Sequence, residues 1–241
     1  MSTRIAALAG TVLLATAMNA SAQTTWDGSI FVNVSAGVHA GSTDIDLSLA
    51  PTIYDEPAAV ATSRSAGAGG VFDITGGLMI RENLGGAISF STRSSSGDGT
   101  LTASIPDPIF FDRPRAVTDT IGDMGYSERW LGFLAAWVVP AGEQLDVTVL
   151  AGPAVAWVNV DAPAAVAVSE GATGPDVTVT LDSITKSFFG IQLGVDVRYM
   201  LTETVGVGGF ARFQRASGEV QGGSDVTAGG FQLGGGVRFK F

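Results

Sequence analysis

Residues 230–241, which read GFQLGGGVRFKF, constrain the fold of this chain more than any other stretch. Side chains of a β-strand alternate between its two faces, so every second residue shares a face. One face of this segment collects phenylalanine, leucine and valine, and the other collects glycine, glutamine and the cations Arg238 and Lys240. This alternation predicts a strand with hydrocarbon on one side and a polar interior on the other.

The N-terminal residues have the pattern of an export signal. Arg4 precedes an apolar run over residues 5–17, and small residues ending at Ala22 form a cleavage site. The run is too short for a transmembrane anchor, and no charged residue stops it. We therefore expect residues 1–22 to be a cleaved signal peptide and residues 23–241 to form one mature domain.

Composition narrows the class of the mature domain. Hydrophobic residues make up 46% of the chain, yet beyond the signal no uncharged run reaches the roughly 18 residues that a membrane-spanning helix needs. The 33 glycines suit curved strands better than helices. The absence of cysteine excludes disulfides and thiolate metal sites, and the net charge of −10 disfavours nucleic acid as a partner.

Eight segments of the chain alternate in the same way as the last one. They are separated by connections that are alternately long and short, which is the rhythm of a barrel with turns on one side of a membrane and loops on the other. The segments comprise residues 26–39, 67–80, 86–93, 126–139, 145–157, 189–199, 205–214 and 230–241. The long connections comprise residues 40–66, 94–125, 159–183 and 216–227.

This rhythm, with the terminal pattern Gly235-x-Val237-x-Phe239-x-Phe241, resembles small eight-stranded bacterial outer-membrane proteins of the OmpA-like and opacity type. The resemblance implies an all-β fold: a transmembrane antiparallel up-and-down β-barrel of about eight strands, with long extracellular loops and short periplasmic turns. It also implies that Val237, Phe239 and Phe241 are an assembly signal read by the barrel-assembly machinery. The expected location is the bacterial outer membrane.

Aromatic residues fall where the two membrane interfaces of such a barrel would lie. The outer girdle is predicted to contain Phe72, Phe90, Trp157, Phe189, Phe213 and Phe231. The periplasmic girdle is predicted to contain Trp26, Trp137, Tyr199 and Phe239.

Charged residues whose parity turns them inward form the main candidate site. They are Asp73, Arg93, Glu128, Asp146, Asp196, Arg198, Arg212, Arg238 and Lys240. Only side chains fit inside an eight-stranded barrel, so these charges are expected to pair and plug the lumen, with Asp146 and Asp196 facing Arg238 and Lys240. The alternative is a narrow pore, which the many inward-facing glycines favour.

Two further cations, Arg129 and Arg215, share the parity of the lipid-facing residues at the outer rim. A guanidinium matches the geometry of phosphate, so contact with lipopolysaccharide is one interpretation. Ordinary snorkelling of the charge to the interface is the other.

A catalytic or metal-binding function has little support in the sequence. The single histidine, His39, has Ser42 and Asp44 nearby, but no motif supports a triad. The acidic loops lack the spacing of a calcium loop. We therefore expect no catalytic site, cofactor or metal. The expected protein is a monomeric structural barrel that contacts lipid, lipopolysaccharide and an extracellular partner through its loops, with a passive pore as the alternative and a lipid-modifying enzyme as a remote third.

Overall fold

The computed structural model describes residue 26 and residues 28–172, 174–221 and 224–241, so the predicted signal peptide lies outside the described residues. Every regular element within these ranges is a β-strand. The strands are β1 (Ile30–Ala40), β2 (Thr43–Leu49), β3 (Thr52–Ile53), β4 (Glu56–Pro57), β5 (Ala59–Ala66), β6 (Gly69–Arg81), β7 (Leu84–Ile105), β8 (Arg115–Pro140), β9 (Leu145–Gly171), β10 (Gly174–Met200), β11 (Val205–Glu219) and β12 (Asp225–Lys240). Among the described residues, no helix is long and apolar enough to cross a membrane.

Eight of these strands form a closed antiparallel ring in the order β7, β6, β1, β12, β11, β10, β9 and β8, with β8 pairing back to β7. The first and last strands of the ring join along a register that runs from Phe31 opposite Lys240 to Ala40 opposite Phe231. The predicted all-β, up-and-down barrel of eight strands is confirmed. Since each strand pairs on both sides, the ring has no free edge at membrane level.

The outer surface of the ring carries a belt of apolar side chains. Exposed members of the belt include Ile30, Val38, Phe72, Leu78, Ile88, Phe133, Trp137, Trp157, Phe189, Ile191, Leu193, Tyr199, Phe213, Phe231 and Leu233. A tilted strand crosses the hydrocarbon in about ten residues, and every second one of them faces the lipid. All six residues of the predicted outer girdle are exposed in this belt.

Trp26 is not in the periplasmic girdle, and its predicted lipid-facing position is wrong. Its side chain is fully buried at the periplasmic end of the lumen. The chain turns between Trp26 and β1, because Gly28 has a φ of +71° and the Ser29 amide donates to the Trp26 carbonyl at 3.0 Å. Strand parity does not extend through such a turn, so the indole points into the lumen and not towards the lipid.

Three of the four long connections are largely strand. β7 continues to Ile105 before β8 begins at Arg115, and β9 stays paired with β10 up to Gly171 opposite Gly174. In the first connection β2 and β5 form a hairpin, and β5 pairs with the upper part of β7, with Ala59 opposite Ser104. The alternation of small apolar and polar residues in these segments explains why the sheet continues beyond the membrane.

Apolar side chains are buried in three clusters stacked along the axis. The lowest cluster surrounds Trp26 and Phe31 at the periplasmic end. The middle one fills the upper lumen, where Ile45 and Leu47 of β2 pack against Trp130 and its neighbours. The third lies outside the membrane, where the inner faces of β5 and β7 pack against β10 around Leu101 and partly buried valines of β9. The lumen is therefore bounded above and below by apolar side chains.

The seam between β1 and β12 has no room for an extra methyl group at Gly236. A Cβ there would overlap the backbone oxygen of Val34, whereas a Cβ at Gly76 on β6 would lie 3.8 Å from the Phe31 oxygen. We predict that Gly236→Ala lowers the free energy of unfolding by about 2 kcal/mol, the usual cost of overpacking. Gly76→Ala, the matched control, should have little effect. Urea unfolding in detergent micelles measures both, and equal stability of the two variants would contradict this account of the seam.

Candidate functional site in the barrel lumen

The inward-facing charges lie in the lumen, from the lowest apolar cluster around Trp26 to the middle one around Trp130. Of the nine residues of the candidate site, eight are buried and Lys240 is half-buried. They are supplied by seven of the eight ring strands, namely Asp73, Arg93, Glu128, Asp146, Asp196, Arg198, Arg212, Arg238 and Lys240. Strand alternation turns each of them inward, so all share one narrow space.

Arg238 and Asp196 form the most complete ion pair in the lumen. The Arg238 guanidinium donates from Nε to Asp196 Oδ1 at 3.0 Å and from Nη2 to Oδ2 at 2.7 Å, a two-pronged geometry. Its Nη1 donates to Ser35 Oγ at 2.8 Å. Both charged groups are almost fully buried. The hydrogen bonds within the pair therefore replace those that each group would make to water.

A second ion pair joins strands on opposite sides of the ring. Arg212 on β11 donates from Nη1 to Asp73 Oδ2 on β6 at 2.5 Å. Thr75 donates to the other Asp73 oxygen at 3.2 Å, and the guanidinium lies 4.9 Å from the centre of the Phe210 ring. β11 and β6 are three strands apart around the ring, so the contact crosses the lumen.

Glu128 is the most highly bonded carboxylate in the upper lumen. It accepts from Arg93 Nη2 at 2.6 Å, from the Tyr126 hydroxyl at 2.5 Å and from Trp130 Nε1 at 2.8 Å. The Gly229 amide lies 3.2 Å from both of its oxygens. A buried carboxylate with this many donors is fully compensated for the loss of water.

A chain of glutamine side chains, none of which belongs to the predicted charge cluster, crosses the middle of the lumen. Gln232 Nε2 donates to Gln214 Oε1 at 2.9 Å, and Gln214 Nε2 donates to Gln192 Oε1 at 2.9 Å. Gln192 then donates from Nε2 to Ser89 Oγ on β7 at 2.9 Å. These residues share the inward parity of the charges, which is the signal that would have revealed them.

At the periplasmic end, Trp26 separates charges that were expected to meet. Its Nε1 donates to Asp146 Oδ1 at 3.2 Å, while Lys240 Nζ lies 4.1 Å from the centre of the indole ring. The Arg198 guanidinium stacks on the same indole at 4.6 Å and donates to Asn33 Oδ1 at 3.2 Å. Asp196 thus meets Arg238 as expected, whereas no salt bridge joins Asp146 to Lys240 among the described residues.

The other sequence candidates lie outside this network. Arg129 and Arg215 are exposed at the outer edge of the apolar belt, where Arg129 stands opposite Trp157 on the neighbouring strand. His39 is buried in the lumen, where neither of its nitrogens has a hydrogen-bond partner among the described residues, while Ser42 and Asp44 are exposed. The three residues of the imagined triad are therefore not brought together, and no metal-binding group of three His, Asp or Glu side chains occurs in the described part of the chain.

A polar cluster joins three of the extracellular connections by hydrogen bonds. No motif or spacing in the sequence predicts these contacts. Arg115 donates from Nη1 and Nη2 to the two oxygens of Glu170 at 2.8 and 2.7 Å. The Tyr54 hydroxyl donates to the same carboxylate at 2.9 Å. These hydrogen bonds lower the pKa of Glu170 to about 2, and the largest cause is the contact with Arg115. The cluster joins three connections far apart in sequence.

Residues 8–239 match the family model described as outer membrane protein beta-barrel domain. Neisserial surface protein A is similar in structure, with 15% identity, a TM-score of 0.49 and coverage of 89% of this chain and 100% of that one. OprG from Pseudomonas aeruginosa is similar with 8% identity, a TM-score of 0.49 and coverage of 89% and 96%. OmpT, the outer membrane protease from Escherichia coli, is similar with 9% identity, a TM-score of 0.45 and coverage of 92% and 99%. No curated protein matches the chain in sequence.

Loss of one partner of the Arg238–Asp196 pair should destabilise the barrel. We predict that Asp196→Ala costs about 3 kcal/mol, because it leaves a buried guanidinium without its counter-charge. Asp112→Ala is the control, since Asp112 is exposed on an extracellular connection. The temperature at which heat-modified gel migration appears should fall for Asp196→Ala only. An equal effect of both substitutions would mean that water reaches Arg238.

Acid should release the extracellular cluster. The pKa of Glu170 is lower in the folded protein than its ordinary value of 4.5, so its contribution to stability is present above that value and is lost as the pH falls towards about 2. We predict that residues 50–58 are better protected from hydrogen exchange in the wild type than in Glu170→Gln at pH 6. The difference in protection factor should vanish near pH 2. Residues 191–199 of the barrel wall serve as the internal control, and a difference that persisted at pH 2 would contradict the assignment.

Proposed function

This chain belongs to the outer membrane protein β-barrel domain family, and on that premise we propose that it is a closed barrel displaying a rigid surface outside the cell. As a member of this family it is a protein of the bacterial outer membrane, in contact with the lipids of that membrane. The proposal has two parts: the lumen does not conduct solutes, and the extracellular strands are the part that meets a partner.

Direct contacts across the lumen carry the first part of the proposal. Arg212 reaches Asp73, Arg198 reaches Asn33 and Gln192 reaches Ser89, each at hydrogen-bond distance. In every case the two strands are three positions apart around the ring. Because the side chains touch one another, a hydrated solute would have to break these contacts to pass.

Apolar side chains at both ends support the same conclusion. Trp26 covers the periplasmic end and is held there by its hydrogen bond to Asp146. Ile45 and Leu47 lie on the outer side of the charged layer, packed against Trp130. A solute that entered from either side would first meet a dry layer, where an unpaired polar group is costly.

The extracellular strands support the second part. The sheet continues past the membrane as paired strands with an apolar interior, and the cluster of Tyr54, Arg115 and Glu170 joins its tips. Loops held in this way present a fixed surface, which lowers the entropy lost on binding a partner. We therefore place the interaction with an extracellular partner on these strands.

The proposed partners at the membrane follow from surface residues. Phe239 and Phe241 stack with a ring separation of 6.4 Å and Phe241 is 69% exposed, so the assembly signal of Val237, Phe239 and Phe241 is open to the assembly machinery.

Arg129 and Arg215 are positioned to bind phosphate groups of lipopolysaccharide. We further propose that residues 1–22 are removed on export and that the barrel is a monomer.

A narrow pore for small solutes is the second candidate function. The observation that favours it is a set of buried polar atoms that find no partner in the described part of the chain, among them Arg198 Nε and Nη1 and Thr148 Oγ1. Buried polar atoms are normally hydrogen-bonded, and water molecules would satisfy these three. A file of water through the lumen would be the beginning of a conductive path.

Planar bilayer recordings separate the two functions. We predict no steady conductance steps from the wild-type protein. The double variant Asp73→Ala/Arg212→Ala removes one contact across the lumen without leaving an unpaired charge, so it should conduct more often than the wild type. Asp112→Ala is the control and should remain silent. Reproducible steps from the wild type would establish the pore.

A further inference from the structure

The connection between β7 and β8 ends in an exposed apolar tip. Ile109, Phe110 and Phe111 are consecutive in sequence and expose 76%, 55% and 76% of their surface. Side chains of this size present on the order of 400 Å² of apolar surface in one place. An apolar patch of this size matches the largest patch of a typical soluble protein, and such a patch is often a site of interaction.

The tip has a defined shape. Asp107 Oδ1 accepts from the amides of Ile109 at 2.9 Å and Phe110 at 3.1 Å, which closes the turn. The Arg113 guanidinium lies 5.3 Å from the centre of the Phe110 ring. At its base, Arg115 is joined to Glu170. The apolar side chains are therefore held outward and do not collapse onto the sheet.

The tip also lies far from the membrane in which the barrel is inserted. β7 leaves the apolar belt at Phe90 and continues as strand to Ile105, with one shift of register between Gly97 and Gly99. A strand of that length, rising about 3.3 Å per residue and tilted by about 45°, ends roughly 35 Å above the belt. The apolar tip cannot reach the hydrocarbon of its own membrane, so any apolar partner comes from outside.

We propose that this tip inserts into the interface of a second, zwitterionic phospholipid bilayer. The inference rests on the proposed surface-interaction role and names the partner class. The three apolar side chains project from a closed turn, and a fluid bilayer accepts projecting side chains without a matching pocket. Phenylalanine beside arginine suits the bilayer interface, where rings enter the acyl region and the cation stays among the phosphates.

The negative charge of the extracellular connections indicates which lipid headgroups the tip can approach. Acidic residues outnumber basic ones in the four extracellular connections, and exposed carboxylates there include Asp44, Asp46, Asp98, Asp119, Asp123 and Asp176. An anionic surface would repel this region, whereas a zwitterionic surface would not. Phosphatidylcholine is therefore a better match than phosphatidylglycerol.

The experiment uses the full barrel, folded in small nanodiscs, and free vesicles of phosphatidylcholine. The chain contains no cysteine, so Pro108→Cys gives a single position for an environment-sensitive dye beside the tip. We expect the dye emission to shift to the blue when vesicles are added, and the nanodiscs to float with the vesicles. Ile109→Ser/Phe110→Ser/Phe111→Ser should lower the bound fraction at least tenfold.

Asp112→Asn is the matched control in the same tip. Asp112 has a φ of +55°, a conformation that asparagine tolerates, so the change removes charge and keeps the turn. This variant should bind at least as well as the wild type, and vesicles of phosphatidylglycerol at low salt should bind at least threefold more weakly. Equal binding by the triple serine variant, or an unchanged dye spectrum, would overturn the proposal. Self-association of nanodiscs that the triple variant abolishes, without vesicle binding, would assign the tip to a second copy instead.

The outcomes remain separable from those of the conductance test. A silent wild-type barrel that does not bind vesicles would remove the bilayer proposal and leave the closed barrel. A conducting barrel that binds vesicles through the tip would overturn the closed barrel and support the bilayer proposal.

Discussion

The narrowness of an eight-stranded ring is the constraint on which the rest of this structure depends. An interior of this width holds mainly side chains, so the charged groups that strand alternation turns inward need counter-charges or hydrogen-bond partners inside the lumen. Arg238 with Asp196 and Arg212 with Asp73 are the result, and the glutamine chain ending at Ser89 completes the layer. Ion pairs in such a space largely compensate their own desolvation, so they join strands across the lumen at little net gain in stability.

The same sheet serves two environments. At membrane level its outer face meets lipid and its inner face is polar, whereas beyond the membrane the inner faces of β5, β7, β9 and β10 are apolar and pack on each other. The change occurs near Trp130, where Ile45 and Leu47 of the β2 hairpin enter from above. The outer half is therefore a small water-facing β-structure with its own core, which supports a role in presenting a surface.

Much of the fold could be predicted because strand alternation is a local property. The side on which Asp196, Arg212 or Glu128 lies follows from counting residues along one strand. Partners could not be assigned with the same certainty, since they depend on strand stagger and on side chains from outside the ring. Asp146 shows the difference: its parity indicates the lumen, but Trp26 occupies the position beside it that was expected for Lys240.

By itself the sequence determined the class of the protein: eight alternating segments, their order, the lipid-facing belt and the outer-membrane location. Each of these depends on the side-chain period of two along a strand and on the lengths of the connections. Both are local properties that can be read from consecutive residues. The tertiary structure alone decided the contacts across the lumen, the inward turn of Trp26, the packing of the β2 hairpin against Trp130 and the cluster of Tyr54, Arg115 and Glu170. The contacts join residues on separate connections or on strands several positions apart, and only closure of the ring brings them within hydrogen-bond or packing distance, including the contact of Trp26 with Asp146.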